Sequence, residues 1–263
     1  MLRRRRLIIA LILAAAVPLT GAGVASAASR TAPKPTVVLV HGAFADASGF
    51  TELAKRLQRK GYPVLAPANP LRGVDADAAY VRSVLSTVSG PVVLVGHSYG
   101  GFVITNAATA NPNVKALVYV AAFAPDAGDT VETLSAKFPG SRLGPDALDI
   151  RPHPSGADGY IKLPLFHEVF CADLPAATAA AMAVSQRPAD VATLRQPSGE
   201  PAWKSIPSWT LVAKDDQVIP AATQRFMAQR AGARVVEVRA SHVAMTSKPD
   251  ATLALILQAA SHR

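Results

Sequence analysis

Residues 91–101, with the sequence PVVLVGHSYGG, constrain the fold more than any other segment of the chain. An apolar run leads into Gly-x-Ser-x-Gly and a helix-compatible stretch follows, which predicts a strand, a sharp turn and a helix. Glycine at positions 96 and 100 removes Cβ atoms that would collide with neighbouring backbone, and it tolerates strained dihedral angles. Ser98 is then left at the tip with its hydroxyl exposed, as a candidate nucleophile. An ordinary strand-to-helix turn is the alternative interpretation.

Short apolar runs alternate with helical patterns along the rest of the chain. Strands are predicted at residues 37–40, 62–66, 92–95, 114–120, 209–213 and 234–238, and helices at residues 50–60, 75–88 (capped by Asp75 or Asp77), 102–110, 221–231 and 249–260. This alternation predicts an α/β fold, with a mostly parallel sheet of about six strands and helices on both faces. Residues 125 to about 205 lack strand-like runs and are too long for a simple loop, so we expect an inserted helical cap over the carboxyl ends of the strands.

The N-terminal segment has the pattern of an export signal. Residues 3–6 are all arginine, residues 7–24 form an interrupted apolar stretch, and residues 25–27 are small. We expect residues 1–27 to be a cleaved signal peptide and residues 28–263 to be the folded domain of a secreted or extracytoplasmic protein, with no stable membrane insertion after cleavage. An uncleaved membrane anchor is the alternative, and the pattern fits both the general and the twin-arginine export route.

Charge and cysteine content argue against several classes of protein. The 27 basic and 18 acidic residues give a net charge of +9, and removing the four arginines of the signal leaves about +5. This mild, dispersed charge, without a basic stripe interleaved with aromatic residues, does not predict a nucleic-acid partner. Cys171 is the only cysteine, so no intrachain disulfide can form. Because the sequence lacks a Cys/His cluster at zinc spacing and a Gly-x-Gly-x-x-Gly after a strand, neither a structural metal nor a dinucleotide site is expected. The oligomeric state is left open.

A serine hydroxyl needs a base to take its proton and a third group to orient that base. The order expected on this fold is serine, acid, histidine, and His242 follows the last predicted strand on a loop at the same sheet edge as Ser98. Asp215 and Asp216 follow the preceding strand, and because neighbouring side chains diverge, only one can face His242; we favour Asp216. The competing histidines are His41 and His97, expected to orient backbone, His153 and His167 in the cap, and His262 near the end of the chain.

Two backbone N–H groups are expected to stabilise an oxyanion. One belongs to Tyr99, at the start of the helix after the serine, and the other to Ala43, in the turn after the first strand. Apolar residues near this edge and in the cap are candidates to line a substrate pocket: Phe44, Leu165, Phe166, Phe170 and Val243.

With these pieces placed, the chain resembles the α/β-hydrolase fold family over nearly all of residues 28–263. The resemblance rests on VHGA at 40–43, GHSYGG at 96–101, and DQVIP at 216–220 together with Ser241-His242. The early start of the fold is similar to the compact branch that contains plant methyl esterases, hydroxynitrile lyases and small bacterial esterases. The resemblance implies that Asp216 is the acid and that no cofactor is needed.

Two departures narrow the activity that the resemblance implies. Hydroxynitrile lyases of this branch have a lysine directly after the catalytic histidine, where this chain has Val243. Haloalkane dehalogenases and epoxide hydrolases of the fold use an aspartate nucleophile, where this chain has Ser98. We therefore expect a secreted serine hydrolase that cleaves small or medium apolar carboxylic esters through an acyl-enzyme. A lactonase, an amidase and a cofactor-free C–C cleaving enzyme are alternatives with the same three groups, and a ligand-binding protein on a hydrolase scaffold is another.

Overall fold

A six-stranded parallel sheet runs through the centre of the protein. The computed structural model describes residues 33–262, and the strands within them are β1 (Thr36–Val40), β2 (Val64–Leu65), β3 (Val92–His97), β4 (Val114–Val120), β5 (Leu148–His153), β6 (Gly156–Ile161), β7 (Ala189–Asp190), β8 (Ser208–Ala213) and β9 (Arg234–Val238). The central sheet has the order β2-β1-β3-β4-β8-β9, and every neighbouring pair is parallel. The predicted sheet of about six strands is therefore confirmed.

The helices of the described region connect the strands and cover both faces of this sheet. They are α1 (Thr51–Arg59), α2 (Val74–Ser86), α3 (Gly100–Ala107), α4 (Val131–Ser135), α5 (Leu163–Phe170), α6 (Ala176–Val184), α7 (Ala192–Arg195), α8 (Ala221–Arg230), α9 (Ala244–Ser247) and α10 (Pro249–Ser261). Helix α2 packs on α3, and α1 packs on α10. The prediction that Asp75 or Asp77 caps α2 is wrong. Gly73 is the N-cap, and both aspartates lie within the first turn of the helix.

The central strands form because their residues are apolar on both faces. All six residues of β3 are buried, and in register with them Val38 of β1 pairs with Leu94, which in turn pairs with Leu117 of β4. A strand buried on both sides needs a continuous apolar run rather than an alternating pattern. The parallel direction brings the carboxyl ends of β1, β3, β8 and β9 to one edge, where the loops that carry the candidate site begin.

The segment between β4 and β8 forms a cap that contains helices and a second sheet. Helices α4 to α7 agree with the predicted helical cap. Strands β5, β6 and β7 form a three-stranded antiparallel sheet that the sequence did not predict. The sequences of β5 and β6, LDIRPH and GADGYI, contain no apolar run that would predict a strand. The two strands pair through their backbones from Leu148↔Ile161 to His153↔Gly156. The cap is therefore mixed rather than helical only.

The predicted signal peptide, residues 1–27, lies outside the described residues. Across residues 33–262, none of the helices is both long enough and apolar enough to span a membrane.

Candidate active site

The turn between β3 and α3 has no room for a side chain at position 96 or position 100. A Cβ atom on Gly96 would lie 2.7 Å from the carbonyl oxygen of Gly100, and one on Gly100 would lie 2.4 Å from the carbonyl oxygen of Val40. The predicted collisions are thus confirmed. The strained dihedral angle belongs to Ser98 itself, whose φ is 55°, and to neither of these glycines. A non-glycine residue in the left-handed region costs about 1–3 kcal/mol, and such strain is often found at functional positions.

The turn after β1 lies directly against Ser98. A Cβ atom on Gly42 would lie 2.6 Å from the Cβ and 3.1 Å from the Oγ of Ser98, so only glycine fits there. The next residue, Ala43, and the residue after the serine, Tyr99, both line the cavity above this point. Within residues 33–262, neither of their backbone N–H groups donates to another protein group. Both donors are free, and the one on Tyr99 lies at the N-terminus of α3.

Asp216 and His242 meet in a buried hydrogen bond. His242 Nδ1 donates to Asp216 Oδ2 at 2.8 Å, and both side chains are 0% exposed. The loop after β8 fixes the carboxylate, because the backbone N–H groups of Val218 and Ile219 donate to Asp216 Oδ1 at 2.8 and 3.0 Å. Asp215 is exposed to solvent. Of the two adjacent carboxylates, the structure therefore places Asp216 against the imidazole.

The serine turn is tied to the histidine loop through His97. His97 Nε2 donates to the backbone carbonyl of His242 at 2.9 Å, and the two imidazole rings lie 4.8 Å apart. His242 Nε2 is buried, and none of the groups in the described residues forms a hydrogen bond with it, Ser98 Oγ included. Hydrogen bonds of this kind are often long before a substrate binds. The structure thus joins Asp216 to His242 and holds the Ser98 turn beside them, with the last hydrogen bond unformed.

The two histidines flanking the site are neutral structural groups. His41 Nε2 accepts from the backbone N–H of Asn69 at 2.9 Å, so its Nδ1 carries the proton and donates to the carbonyl of Gly42. Burial lowers the pKa of His41 more than this hydrogen bond raises it. Burial, helped by the nearby His242, lowers the pKa of His97 well below its ordinary value. Both rings orient backbone, as the sequence predicted.

The remaining histidines lie away from the serine turn. His153 Nε2 bonds to Asp190 at 3.0 Å in the cap, His167 bonds to the carbonyl of Leu174, and His262 is exposed. His153, Asp158 and Asp190 offer ligand atoms within 4.8 Å of one another. Arg72 already pairs with Asp158 at 2.6 Å, however, and its positive charge occupies the position that a cation would need.

Asp173, a cap residue that the sequence did not single out, holds the loop that carries His242. Asp173 accepts hydrogen bonds from both the backbone N–H (3.1 Å) and the hydroxyl of Ser241. Partial burial acts to raise the pKa of Asp173, but these donors outweigh it and hold the pKa below its ordinary value. Phe170, from the same part of the cap, lies with its ring 5.1 Å from the ring of His242. The cap therefore contacts the histidine directly as well as the residue before it.

Two further groups support the site from within the core. The hydroxyl of Tyr99 donates to Asp77 Oδ2 at 2.8 Å, and the pKa of Asp77 is raised by its burial. Gln224, which is 0% exposed, donates to Asp216 Oδ2 at 2.8 Å. The sequence signal that could have identified them is a polar residue at helical spacing from apolar ones: Asp77 shares the buried face of α2 with Val74 and Val81, and Gln224 shares that of α8 with Met227.

A cavity of about 860 Å³ lies between the serine turn and the cap. Its lining is mainly apolar and includes Ala43, Phe44, Ser98, Tyr99, Phe123, Val131, Leu143, Leu148, Ile150, Val191, Leu194 and Val218. A few polar and charged groups, among them Glu132, Ser155, Asp190 and Arg195, complete the wall.

The predicted pocket residues need correction, since only Phe44 lines this cavity. Phe166, Phe170 and Val243 are 0% exposed, and Leu165 is half-buried against the core. The aromatic rings pack on one another and on the histidines, with Phe166 and Phe170 centred 4.9 Å apart. The side chains of Leu165, Phe166 and Phe170 pack α5 against the core, and Val243 is buried beside His242. The cavity wall comes instead largely from α4, α7 and the antiparallel sheet.

Comparison with known proteins agrees with this arrangement. A family model described as "Alpha/beta hydrolase family" matches residues 37–255. A pyrethroid hydrolase from Sphingobium wenxiniae is 30% identical over 236 residues, which cover 81% of this chain and 83% of that protein. A carbendazim hydrolyzing esterase from Nocardioides sp. is 36% identical over 113 residues, so the match spans 38% of this chain and about half (47%) of that protein.

Solved structures give the same result. The crystal structure of a pyrethroid hydrolase from Sphingobium faniae has a TM-score of 0.71 at 27% identity and covers 86% of this chain and 97% of its own. Polyneuridine aldehyde esterase has a TM-score of 0.72 at 20% identity, over 86% of this chain and 98% of its own, which supports the fold alone. The predicted enzyme class, a carboxylic ester hydrolase, is confirmed. The chain belongs to the alpha/beta hydrolase family.

Proposed function

We propose that this protein is a secreted serine esterase in which Ser98 is the nucleophile, His242 the general base and Asp216 the group that orients the base. The observation that carries the proposal is the buried hydrogen bond from His242 Nδ1 to Asp216 Oδ2. Since a carboxylate only accepts, Nδ1 holds the ring proton and Nε2 keeps its lone pair for the proton of a serine hydroxyl. That Nε2 atom is buried with no hydrogen-bond partner among residues 33–262, which supports this role.

The proposed reaction has two halves. Ser98 Oγ attacks the acyl carbon of the ester while His242 Nε2 takes the hydroxyl proton, and the free N–H groups of Ala43 and Tyr99 stabilise the oxyanion. His242 then returns the proton to the departing alkoxide, which leaves as the alcohol. In the second half, water gives a proton to His242 and attacks the acyl-enzyme, and the carboxylic acid is released with Ser98 restored.

The cavity supports apolar esters of medium size as substrates. Its volume of about 860 Å³ lies in the upper part of the range for sites that take drug-sized ligands, and most of its lining side chains are aliphatic or aromatic. The relatives named as a carbendazim hydrolyzing esterase and a pyrethroid hydrolase support ester hydrolysis as the reaction. Secretion rests on the N-terminal sequence pattern.

The proposal is tested by labelling with a fluorophosphonate, which reacts with an activated serine. We expect the wild-type protein to label once and Ser98→Ala not to label, with hydrolysis of a p-nitrophenyl ester lost in parallel and the melting temperature retained. Ser155→Ala is the matched control, because Ser155 also lines the cavity and lies 3.3 Å from a histidine nitrogen, His153 Nδ1. Labelling of Ser98→Ala at the wild-type rate would falsify the proposed nucleophile.

A further inference from the structure

Gln224 lies in the second layer around the proposed base, on helix α8. It is 0% exposed although its side chain is an amide, and such a group is retained in a core only when its hydrogen bonds are made. Its helix begins directly after the loop that carries Asp216, so the side chain reaches back into that loop. The sequence motif that led to Asp216 does not account for this residue.

Within residues 33–262, the amide of Gln224 makes three hydrogen bonds, one to the end of β8 and two to the loop that follows it. Its Nε2 donates to Asp216 Oδ2 at 2.8 Å and to the carbonyl of Ile219 at 2.7 Å. Its Oε1 accepts from the backbone N–H of Ala213, the last residue of β8, at 3.0 Å. The side chain therefore connects the end of the strand, the carboxylate and the far end of the loop.

From the groups of residues 33–262, the carboxylate of Asp216 receives four hydrogen bonds. Two backbone N–H groups hold Oδ1, and Oδ2 is shared between His242 Nδ1 and Gln224 Nε2. Rotation about the last torsion of an aspartate is soft, so backbone donors on Oδ1 alone leave the position of Oδ2 loosely defined. A second donor on Oδ2 fixes that atom and also withdraws negative charge from it.

We propose that Gln224 is a positioning residue for the hydrolytic reaction: it fixes Asp216 Oδ2 in line with His242 Nδ1 and moderates the charge that the imidazole faces. The inference rests on the proposed roles of Ser98, Asp216 and His242. It adds a fourth group that acts through Asp216 and touches no substrate. Because it acts on the base, its loss changes kcat and the pH profile rather than substrate binding.

The first test is Gln224→Met, which keeps the length of the side chain and removes its donors. We expect kcat for a p-nitrophenyl ester to fall about 10- to 100-fold, with KM changed less than about 2-fold, since one hydrogen bond to a buried charge is lost. We also expect the acid limb of kcat/KM to move to higher pH, because the less neutralised Oδ2 stabilises the imidazolium form. Gln229→Met is the matched control, since Gln229 lies on the same helix but is exposed. This variant should leave kcat and the acid limb of kcat/KM unchanged.

Gln224→Glu gives a second reading in case the methionine variant does not fold. When protonated, the glutamic acid can still donate to Asp216, and when ionised it repels it. We expect activity near the wild-type value at low pH and a descending alkaline limb where the wild-type profile is flat. A flat alkaline profile in this variant, or unchanged kcat and acid limb in folded Gln224→Met, overturns the inference.

A double variant separates this inference from the proposed function. If Gln224 acts through Asp216, then Gln224→Met lowers kcat little further when Asp216→Asn is already present. The same fold-loss in both backgrounds overturns the positioning role and assigns the residue to loop folding alone. If Asp216→Asn alone leaves kcat unchanged, the proposed function itself fails, which is a different result from failure of the Gln224 inference.

Discussion

The central sheet and the cap meet at the same cavity but are built differently. In β3 every residue is buried, whereas none of the six residues of the cap strand β5 is fully buried, and Ile150 within it is 50% exposed. The sheet is held by close packing of apolar side chains on both faces. The cap sheet is held mainly by backbone pairing and by contacts at its margins.

This difference separates the two tasks of the site. All of the groups proposed for bond cleavage follow the carboxyl ends of strands of the central sheet, where packing and hydrogen bonds hold them in place. The apolar wall that receives the substrate comes largely from the cap, where side chains have space to change. Substitutions in the core should therefore abolish activity or folding, and substitutions in the cap should shift substrate preference.

The largest effect is expected at the core acid. Asp216→Asn should lower kcat/KM for a p-nitrophenyl ester about 10⁴-fold, because an amide donor in place of the carboxylate favours the wrong tautomer of His242. Steady-state kinetics measure this directly. Asp215→Asn is the matched control, since Asp215 is adjacent and exposed, and its activity should stay within about 2-fold of wild type. Equal losses in the two variants would contradict the assignment.

Replacing a glycine by alanine should affect stability very differently in the core and in the cap. A Cβ atom on Gly101 of the core would lie 1.8 Å from the carbonyl oxygen of Phe123, whereas one on Gly144 of the cap would meet no atom within 4 Å. Gly101→Ala should cost more than about 3 kcal/mol in the free energy of unfolding, or yield no folded protein. Gly144→Ala should be neutral or stabilise by up to about 1 kcal/mol. Urea unfolding monitored by tryptophan fluorescence measures both, and a well-folded Gly101→Ala variant would break the comparison.

Acid should destabilise the core through its buried histidines. The folded-state pKa values of His41 and His97 are lowered, so below about pH 6.5 the unfolded chain binds more protons than the folded one. By linkage the free energy of unfolding then falls as the pH falls, by up to about 1.4 kcal/mol per pH unit for each histidine.

Urea unfolding at pH 7.5 and pH 5.5 measures this dependence. His97→Asn should reduce the difference between the two pH values even where it lowers stability at both, and His262→Asn, at an exposed position, should leave the difference unchanged. Stability that is constant over this range in the wild-type protein would contradict a role for the buried imidazoles.

The sequence predicts the central sheet well and the cap poorly. The strands at residues 114–120 and 234–238 were predicted to the residue, because each contains three valines and β-branched residues favour strands. The Ser98 turn was predictable because its glycines leave a local pattern. The meeting of Asp216 and His242 was predictable because both follow strands that end at one edge of a parallel sheet.

The cap resisted prediction for physical reasons. Strands β5 and β6 contain Asp, Gly and Pro and are stabilised by backbone pairing, which leaves little trace in side-chain type. Phe166 and Phe170 were correctly read as apolar cap residues, but an apolar face does not reveal whether it packs on the core or lines a cavity. Asp173 carries no local motif, since its partner Ser241 lies 68 residues further along the chain. The partners of Gln224 are close in sequence, but a single glutamine on a helix does not indicate that it reaches back to them. The predicted export signal stays a prediction.

The smallest effect is expected from the cap wall. Leu148 lines the cavity at the start of β5, and Leu148→Ala removes apolar contact area from the substrate while leaving the groups proposed for bond cleavage in place. We expect KM for a naphthyl ester to rise about 5- to 30-fold, which corresponds to about 1–2 kcal/mol, with kcat nearly unchanged. Hydrolysis of the smaller p-nitrophenyl acetate should change less, because it offers less apolar area to the cavity wall. Leu163→Ala is the matched control, because Leu163 lies on the cap helix α5, is 55% exposed and is not part of the cavity wall.

A loss of kcat on both esters in Leu148→Ala would instead mean that the cap wall helps to hold the reacting groups. The separation between a catalytic core and a substrate-selecting cap would then not stand.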